Sequence, residues 1–523
     1  MLIQLDESKT LYHQIYATIK DRILSGVLPI DTKMLSSREL ATQLDVSRNI
    51  VLLAYEQLIA EGYLVSRPGA GTFVSVAPEG FLTSLAEIVK KNPTPAHPPT
   101  ISDYSRRLGT RIQEPPFRLG LPRPRAKYDF RHGHPAIDLL PQKIWYRLVS
   151  RRAGKFSRDD VAYAPPQGDP ELREVISRYL STYRGVDSAP GRTIVVNGSQ
   201  QALDLIARIL INPGDSVVLE EPCYPGIRQV VTGLGARIHS IEVDGGGLRT
   251  EDLDSIGGPV RLIYVTPSHQ YPTGTVMSLQ RRLALIAFAK RTGAYILEDD
   301  YDSEFRFDAR PEKSVQGLDP NGRVIYVGTF SKLLFPALRL GYVLLPDSLL
   351  EPFVVAKSVT DRCSAPLAQG VISDFMSEGH FERHLRRVRV EVGKRRQDLI
   401  IQMKENFGDD VSIVGSNAGV HLLACFPGLP PENLESAIEE AAKLGVAVYA
   451  VDPCYKARPP IAGLVMGYAS MSQKDRAEGI RRLHRALSPF IEPVKKVAPS
   501  PMEKNASQGG TRTSKVLASQ RGN

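Results

Sequence analysis

Apolar residues recur every four positions near the start of the chain, a period typical of one face of an α-helix. Gly26 and Pro29 end this pattern. Ser36 and Glu39 then have the spacing of a capping box, which predicts the start of a second helix. The repeating residues of the first helix are Leu11, Ile15, Ile19 and Ile23.

A third helix is predicted from Ser47, and the polar pair Arg48 and Asn49 interrupts its apolar side at the start. Two β-prone strings then flank residues 68–71, Pro-Gly-Ala-Gly, which predicts a hairpin. Three helices and a hairpin predict an α+β winged helix-turn-helix domain over residues 1–76, with its third helix in the major groove of DNA. A second interpretation stays open, in which this domain packs against a protein partner.

The run SSRELATQLDVSRNIVLLAYEQLIAEGYLVSRPGAGTFV closely resembles the GntR family of bacterial repressors. In that family the start of helix two, the third helix and the wing contact double-stranded operator DNA. One departure is that Met34 and Leu35 precede the serine pair, where the family usually has a proline. By resemblance the DNA-binding residues are Ser37, Arg38, Ser47, Arg48, Asn49, Gly69, Gly71 and Thr72.

Short apolar runs alternate with helical periods over residues 128–492. This alternation predicts an α/β domain with a mostly parallel sheet, whose ligands lie beyond the carboxyl ends of the strands. The strand-like runs are 193–197, 216–222, 260–267, 294–301 and 323–332. The chain of 523 residues is therefore expected to be multidomain.

Proline and basic residues set residues 77–127 apart as a predicted linker, and residues 493–523 are predicted to be a disordered tail. The charge is concentrated in the linker: residues 105–131 carry a net +6, whereas residues 1–75 carry −1, out of a total of +9. The four widely separated cysteines favour a reducing, cytoplasmic location, and no apolar run is long enough for a membrane helix.

Three strand ends of the large domain carry residues suited to one cofactor. Ser199 and Gln200 begin a helix after a strand, a start that can bind phosphate, although a capped helix after a strand is ordinary and by itself is weak evidence for a phosphate site. Asp299 ends a buried strand and could face a protonated ring nitrogen, or lie in a solvated acidic turn. Lys332 ends another strand and could form a Schiff base, although a single lysine is usually a surface charge. Together these features indicate pyridoxal 5′-phosphate.

The runs TFSKLLFPALRLGY, EDDYDSEF and YAPPQGDPELREVISRYL closely resemble the fold-type I aminotransferases, and the whole chain resembles the MocR subfamily of GntR regulators. The resemblance implies that Lys332 is the catalytic lysine that binds the cofactor. It implies that Asp299 pairs with the pyridine nitrogen and Tyr301 donates to the ring hydroxyl. It further implies phosphate contacts from Ser199, Gln200, Thr329 and Arg339, and, from a neighbouring subunit of a homodimer, Tyr163.

Tyr224 is expected to stack on the ring, although a core tyrosine would show the same pattern. Two departures bear on catalysis. Enzymes of this fold usually have Asn-Pro-x-Gly where this chain has residues 271–274, Tyr-Pro-Thr-Gly, and His269 or Gln270 is a candidate substitute for the asparagine. The arginine that holds a substrate carboxylate is missing near residues 464–468.

The sequence therefore favours a cytoplasmic regulator that senses a small amine, an amino acid or a B6 vitamer through its aminotransferase-like domain. The alternatives are an active aminotransferase with an accessory DNA-binding domain and a scaffold that has lost its cofactor. Turnover is not expected, although a half-reaction stays open. His132 and His134 have metal-like spacing but no evident third ligand, so no metal is expected.

Overall fold

The computed structural model describes residues 10–75, 100–109, 126–155, 162–307, 313–415 and 418–493. The chain divides into two compact units, Met1–Thr100 and Ile101–Asn523, and each is described by itself. Among the described residues, no helix is both long and apolar enough to cross a membrane.

The described residues of unit 1 form three helices, α1 (Leu11–Leu24), α2 (Ser37–Leu44) and α3 (Arg48–Ala60). The capping box at α2 is formed: Ser36 Oγ accepts from the Glu39 backbone N–H, and the Glu39 carboxylate accepts from the Ser36 N–H. A left-handed residue, Asp45, ends α2 and makes the tight turn. The core that joins the helices is Ile15, Ile19, Leu40, Val51, Ala54 and Leu58.

The hairpin of unit 1 consists of β1 (Leu64–Arg67) and β2 (Gly71–Val74), which pair antiparallel with Arg67 opposite Gly71. The departure from the GntR pattern is accommodated at this hairpin. Met34 is buried in the core, and its backbone N–H donates to the Thr72 carbonyl at 2.8 Å. The entry to α2 is therefore held by the wing, and the predicted winged helix-turn-helix fold is confirmed.

Unit 2 is built on an eight-stranded sheet. Its strands in chain order are β4 (Thr193–Val196), β5 (Ser216–Glu221), β6 (Arg237–Asp244), β7 (Gly247–Leu248), β8 (Val260–Val265), β9 (Tyr295–Asp300), β10 (Val324–Thr329) and β11 (Gly341–Leu344), and β3 (Tyr128–Asp129) lies outside it. The order across the sheet is β4-β11-β10-β9-β8-β5-β6-β7, and the central strands from β10 to β6 pair in parallel. The predicted mostly parallel sheet is confirmed.

Unit 2 also contains helices in its described residues. They are α4 (Asp103–Gly109), α5 (Gln142–Ala153), α6 (Pro170–Arg184), α7 (Ser199–Leu210), α8 (Pro225–Gly233), α9 (Leu279–Thr292), α10 (Asp347–Asp361), α11 (Pro366–Ser377), α12 (His380–Phe407), α13 (Leu434–Lys443) and α14 (Gln473–Leu487). One cluster buries α7 and α8 against β4, β5 and β10, and another buries α9 against β8 and β9. The ends of β4, β9 and β10 therefore sit on a rigid, packed layer.

A smaller antiparallel sheet follows, in the order β12 (Ser412–Val414), β13 (His421–Phe426) and β15 (Ala462–Gly467), and β14 (Val446–Ala447) pairs in parallel with β3. Its first two strands follow α12 in the chain.

Helix α4 lies within the predicted linker and packs on unit 2. Arg107 donates to the Gly233 carbonyl at 3.2 Å, and a Cβ at Gly233 would come within 2.8 Å of the Tyr104 ring. Residues 76–99 and 110–125 of the predicted linker, and the predicted tail from residue 494, lie outside the described residues. The linker and tail boundaries stay predictions.

Candidate functional site

The predicted DNA-binding residues of unit 1 lie together at the starts of α2 and α3 and on the hairpin. Arg48 Nε donates to Ser37 Oγ at 3.3 Å, so the first turns of the two helices are joined. Arg38, Ser47 and Asn49 are exposed. Ser47 stands at the N-cap of α3 as predicted, but its side chain makes no capping hydrogen bond in this structure. These residues form one solvent-accessible polar surface, which suits contacts to phosphates and base edges.

The hairpin turn depends on two glycines. Gly69 and Gly71 have φ of +74° and +114°, in the region that L side chains rarely adopt. A Cβ at Gly71 would lie 3.2 Å from Lys33 Cε. Gly71 is exposed and Thr72 is half-buried, so the wing presents its backbone and one hydroxyl at its tip.

In unit 2 the sheet brings the predicted phosphate-binding residues together. Gly341 of β11 lies opposite Val196 of β4 on one side and Thr329 of β10 on the other. Ser199 and Gln200 begin α7 two residues beyond β4, where the first backbone N–H groups of a helix lack intrahelical partners. The ends of β4 and β10 are therefore separated by a single strand.

Arg339 completes the group of predicted phosphate-binding residues, which also contains Ser199, Gln200 and Thr329 and is called the phosphate cup below. Its guanidinium donates to the Asn197 carbonyl at 2.8 Å, and a Cβ at Gly198, which has φ +87°, would lie 3.0 Å from it. Thr329 Oγ1 interacts with Ser331 Oγ at 3.0 Å and accepts from the Ser331 N–H. Ser331 was not predicted as a site residue, although it lies in the same motif. The cup combines a cation, hydroxyls and a helix start, which suits a phosphate.

The three acids at the end of β9 have separate roles. Glu298 accepts from the backbone N–H groups of Val315 and Gln316, and Asp300 pairs with Arg184 at 2.6 Å. Asp299 takes part in neither of these contacts. The predicted alternative of a solvated acidic turn is wrong, because all three carboxylates are buried.

Asp299 is 5% exposed, and its Oδ2 accepts from the Tyr264 hydroxyl at 2.9 Å. Its Oδ1 is buried and has no hydrogen-bond partner within the described parts of the chain. Burial raises the pKa of Asp299 to about 7. A buried carboxylate with an open oxygen is suited to a cation such as a protonated ring nitrogen.

Lys332 lies beyond the end of β10 and donates to the Gly133 carbonyl at 3.2 Å. Burial lowers the pKa of Lys332, against the opposing charges of Asp302 and Asp299. A Cβ at Gly133, which has φ +80°, would lie 2.3 Å from the lysine nitrogen, so a larger residue here would displace that nitrogen from its present position. A lysine with a lowered pKa is the nucleophilic form that condensation with an aldehyde requires.

The predicted ring contacts lie in one aromatic cluster. The Tyr301 hydroxyl donates to the His269 carbonyl at 2.9 Å. The Tyr224 hydroxyl donates to Gln200 Oε1 at 3.4 Å, a contact that links it to the phosphate cup. Tyr271 was not predicted as a site residue, yet its ring lies 5.7 Å from that of Tyr224 and 6.2 Å from that of Tyr301.

Within a single chain, Tyr163 does not lie with the other predicted cofactor-site residues. Its side chain is 85% exposed. Its assignment to the phosphate of a neighbouring subunit stays a prediction.

The two candidate substitutes for the missing asparagine are both engaged elsewhere. The Gln270 amide donates to the carbonyls of Pro222 and Tyr271, and its oxygen accepts from Thr273. His269 Nδ1 bonds to Asp302 at 3.0 Å. The polar atoms of the Gln270 side chain are thus engaged, whereas Nε2 of His269 is buried and has no hydrogen-bond partner among the described residues.

The one group of three potential metal ligands in the described ranges is His269, Asp302 and His421, whose ligand atoms lie within 4.8 Å of one another. The hydrogen bond from His269 to Asp302 gives both side chains a structural role. Burial lowers the pKa of His421 well below its ordinary value, and its Nε2 has no hydrogen-bond partner among the described residues. His132, the candidate raised by the sequence, bonds instead to the Tyr271 hydroxyl.

Two family models match the chain. Residues 11–74 match "Bacterial regulatory proteins, gntR family", and residues 150–483 match "Aminotransferase class I and II". These ranges lie within unit 1 and unit 2 respectively.

Curated relatives align over nearly the whole chain. The "Probable rhizopine catabolism regulatory protein MocR" of Rhizobium meliloti is 37% identical over 93% of this chain and 96% of its own length. The "HTH-type transcriptional regulator TauR" of Rhodobacter capsulatus is 32% identical over 91% and 96%. Both units of this chain are thus found together, in the same order, in proteins named as regulators.

Solved structures match unit 2. The kynurenine aminotransferase of Pyrococcus horikoshii, "in complex with PMP", is 26% identical, with a TM-score of 0.65, over 78% of this chain and all of that chain. The α-aminoadipate aminotransferase LysN of Thermus thermophilus, "complexed with N-(5'-phosphopyridoxyl)-L-leucine", is 27% identical, with a TM-score of 0.67, over 73% and 97%. The fold of unit 2 is that of a fold-type I aminotransferase.

Proposed function

Because this chain belongs to the MocR subfamily of GntR-type regulators, which joins a helix-turn-helix domain to an aminotransferase domain, we propose that it regulates transcription from operator DNA in response to a small effector. The effector would be a small amine, an amino acid or a B6 vitamer. The observation that carries the proposal is the convergence of Lys332, Asp299 and the phosphate cup at neighbouring strand ends.

Pyridoxal 5′-phosphate, when bound, supplies an aldehyde that condenses with primary amines. The residues present fit it: Asp299 offers an open buried oxygen, and Lys332 has a lowered pKa and a glycine beside it. Ser199, Gln200, Thr329 and Arg339 would hold the phosphate. Tyr301 would donate to the ring hydroxyl, and Tyr224 would lie against the ring.

Sensing requires that the amine favour one arrangement of the DNA-binding domains over another, since a ligand shifts an equilibrium only through its differential affinity. A homodimer would bring two such domains to a repeated operator. The exposure of Tyr163 supports this assembly, because an aromatic residue of the YAPPQG motif is left for a second copy to cover.

A working aminotransferase is the second candidate, and the match to solved aminotransferases favours it. Two features weigh against efficient turnover. Tyr271 stands where such enzymes usually have asparagine, and the buried strand β15 carries AGLVMG, without the arginine that would hold a substrate carboxylate.

The decisive experiment pairs DNA capture with a turnover assay on the full chain loaded with pyridoxal 5′-phosphate. Genomic fragments that the protein retrieves are sequenced, and its affinity for the recovered promoter is measured with and without a panel of primary amines. The regulator proposal expects salt-sensitive, sequence-specific binding that one amine changes. Sustained turnover with a keto-acid acceptor, without specific DNA binding, would establish the enzyme instead.

A further inference from the structure

Tyr271 occupies the position of the asparagine that aminotransferases place beside the cofactor ring hydroxyl. Its ring lies among the predicted ring contacts: it packs edge-on against Tyr224 and Tyr301, with ring centroids 5.7 and 6.2 Å away. The ring of His421 lies 5.3 Å from it on another side. A polar residue at this point of the chain therefore remains in the site, although its chemistry has changed from an amide to a phenol.

The Tyr271 hydroxyl is held by His132. The phenolic oxygen lies 2.9 Å from His132 Nε2. Burial and the charge of Lys332 lower the pKa of His132 to about 4, so the imidazole is neutral near neutral pH. A neutral imidazole that carries its proton on Nε2 donates to the phenolic oxygen, which fixes the hydroxyl in place and leaves its single proton for a further acceptor.

His132 also connects this hydroxyl to the lysine. It precedes Gly133, whose carbonyl accepts from Lys332. Nδ1 of His132 is buried and has no partner among the residues that the structure describes. Tyr271 and His132 thus lie between Lys332, which is the predicted nucleophile, and the predicted ring contacts Tyr224 and Tyr301.

Resting on the proposed function above, we propose that Tyr271, oriented by His132, is a further cofactor-positioning residue that replaces the missing asparagine beside the ring hydroxyl. Of the other two candidates, Gln270 is engaged by backbone carbonyls and Thr273, whereas His269 bonds to Asp302 through Nδ1 and keeps Nε2 without a partner in the described residues. Tyr271 is favoured over His269 because it stands at the sequence position of the asparagine itself and its ring packs against both Tyr224 and Tyr301.

A hydrogen bond donated to the ring oxygen of the cofactor favours the ionised form of that oxygen. Loss of this hydrogen bond should therefore raise the pKa of the bound cofactor, which then holds its proton to a higher pH. The visible absorbance of bound pyridoxal 5′-phosphate reports that proton. The charged and titratable groups that face His132 are Lys332, His134 and Arg131, and the ring of Tyr449 packs against it. The groups that face Tyr271 are Cys454 and Tyr224.

The experiment titrates the visible absorbance of the full chain, loaded with pyridoxal 5′-phosphate, against pH. Tyr271→Phe should raise the midpoint by about one pH unit, a tenfold change in proton affinity. Tyr271→Asn, which restores the usual amide, should keep the midpoint near that of the natural chain. Tyr449→Phe is the matched control: it also removes a phenolic hydroxyl from a ring that packs against His132, but this hydroxyl contacts Asp129 and Arg131, so the midpoint should stay unchanged.

His132→Gln should shift the midpoint in the same direction as Tyr271→Phe. The double variant should shift it no further than Tyr271→Phe alone, because the two side chains act as a unit. An unchanged midpoint in Tyr271→Phe, or additive shifts in the double variant, would overturn the proposal.

Cofactor uptake decides the remaining outcomes. Loss of the cofactor by Tyr271→Phe but not by Tyr271→Asn supports the proposal, because it shows that the position needs a polar group. Loss by both variants overturns it, since the amide would then fail to replace the phenol. If the natural chain itself takes up no pyridoxal 5′-phosphate, the proposed function fails, and this result is distinct from any result with the variants.

Discussion

The hydroxyl of Tyr264 donates to Oδ2 of Asp299 across 2.9 Å, and this bond decides which oxygen of the carboxylate stays open. Tyr264 belongs to β8 and Asp299 to β9, which are adjacent and parallel. The bond fixes the side-chain orientation of Asp299 and leaves Oδ1 unpaired in the structure's described residues. The carboxylate is thus oriented before any cofactor is bound.

This arrangement predicts how the stability of the cofactor-free protein depends on pH. The pKa of Asp299 is raised to about 7 by burial, so its contribution to stability is present at low pH and is lost as pH rises through about 7. Glu220 and Glu298, with pKa values also raised to about 7, act in the same direction. The contribution of these three carboxyl groups to the melting temperature should therefore fall between about pH 4 and pH 7.

Asp299→Asn should reduce this fall by about 2 to 4 °C, because an amide does not ionise. The same variant should weaken pyridoxal 5′-phosphate binding, since the open oxygen no longer carries a charge. Thermal unfolding of cofactor-free protein over the pH range measures the first effect and equilibrium dialysis the second. A variant that melts with the pH dependence of the natural chain would exclude Asp299 as the source.

Arg48→Ala tests the DNA-binding surface. If Arg48 reads a base, operator affinity should fall by roughly 1 to 3 kcal/mol, and if it meets only phosphate, the salt slope should decrease by about one. Binding to the recovered promoter is measured over a series of salt concentrations. Unchanged affinity and slope would remove Arg48 from the interface, even though it is exposed and joined to Ser37.

The assembly prediction concerns Tyr163. We expect a homodimer at micromolar concentration with cofactor bound, because the exposed Tyr163 is predicted to complete the site of the partner. Analytical ultracentrifugation measures the state directly. Tyr163→Phe, which keeps the ring but loses the hydroxyl, should leave the dimer intact and weaken the binding of pyridoxal 5′-phosphate. A natural chain that is monomeric under these conditions would contradict the prediction.

Lys332→Ala tests the link between the two units. Pyridoxal 5′-phosphate could still dock through the phosphate cup and Asp299, but its yellow absorbance should vanish, because no lysine is there to react with the aldehyde. DNA binding should survive, since unit 1 has its own core.

The response to an amine is the informative measurement on Lys332→Ala. Promoter affinity is compared with and without the amine that acts on the natural chain, and the effect should be lost. A full response of Lys332→Ala to the same amine would show that sensing does not involve reaction at the aldehyde.

Local patterns were enough to predict the helices of unit 1 and the strand ends of unit 2. The capping box at Ser36 and Glu39 formed as predicted, since it depends on residues three apart. The apolar runs that became β9 and β10 carried Asp299 and Lys332 at their ends, and parallel strands bring such ends to one edge.

The sequence by itself thus determined the two domain folds and the residues that we propose would meet a phosphate, a ring nitrogen and an aldehyde, because these follow from period, spacing and motif. Only the tertiary structure decided which of the three acids at the end of β9 are paired and which one keeps an open oxygen. Glu298 and Asp300 found partners in a distant turn and in Arg184, and Asp299 was left open. It also brought His132 to Tyr271, 139 residues along the chain. Such pairs form where separate segments pack, and no local pattern encodes that contact.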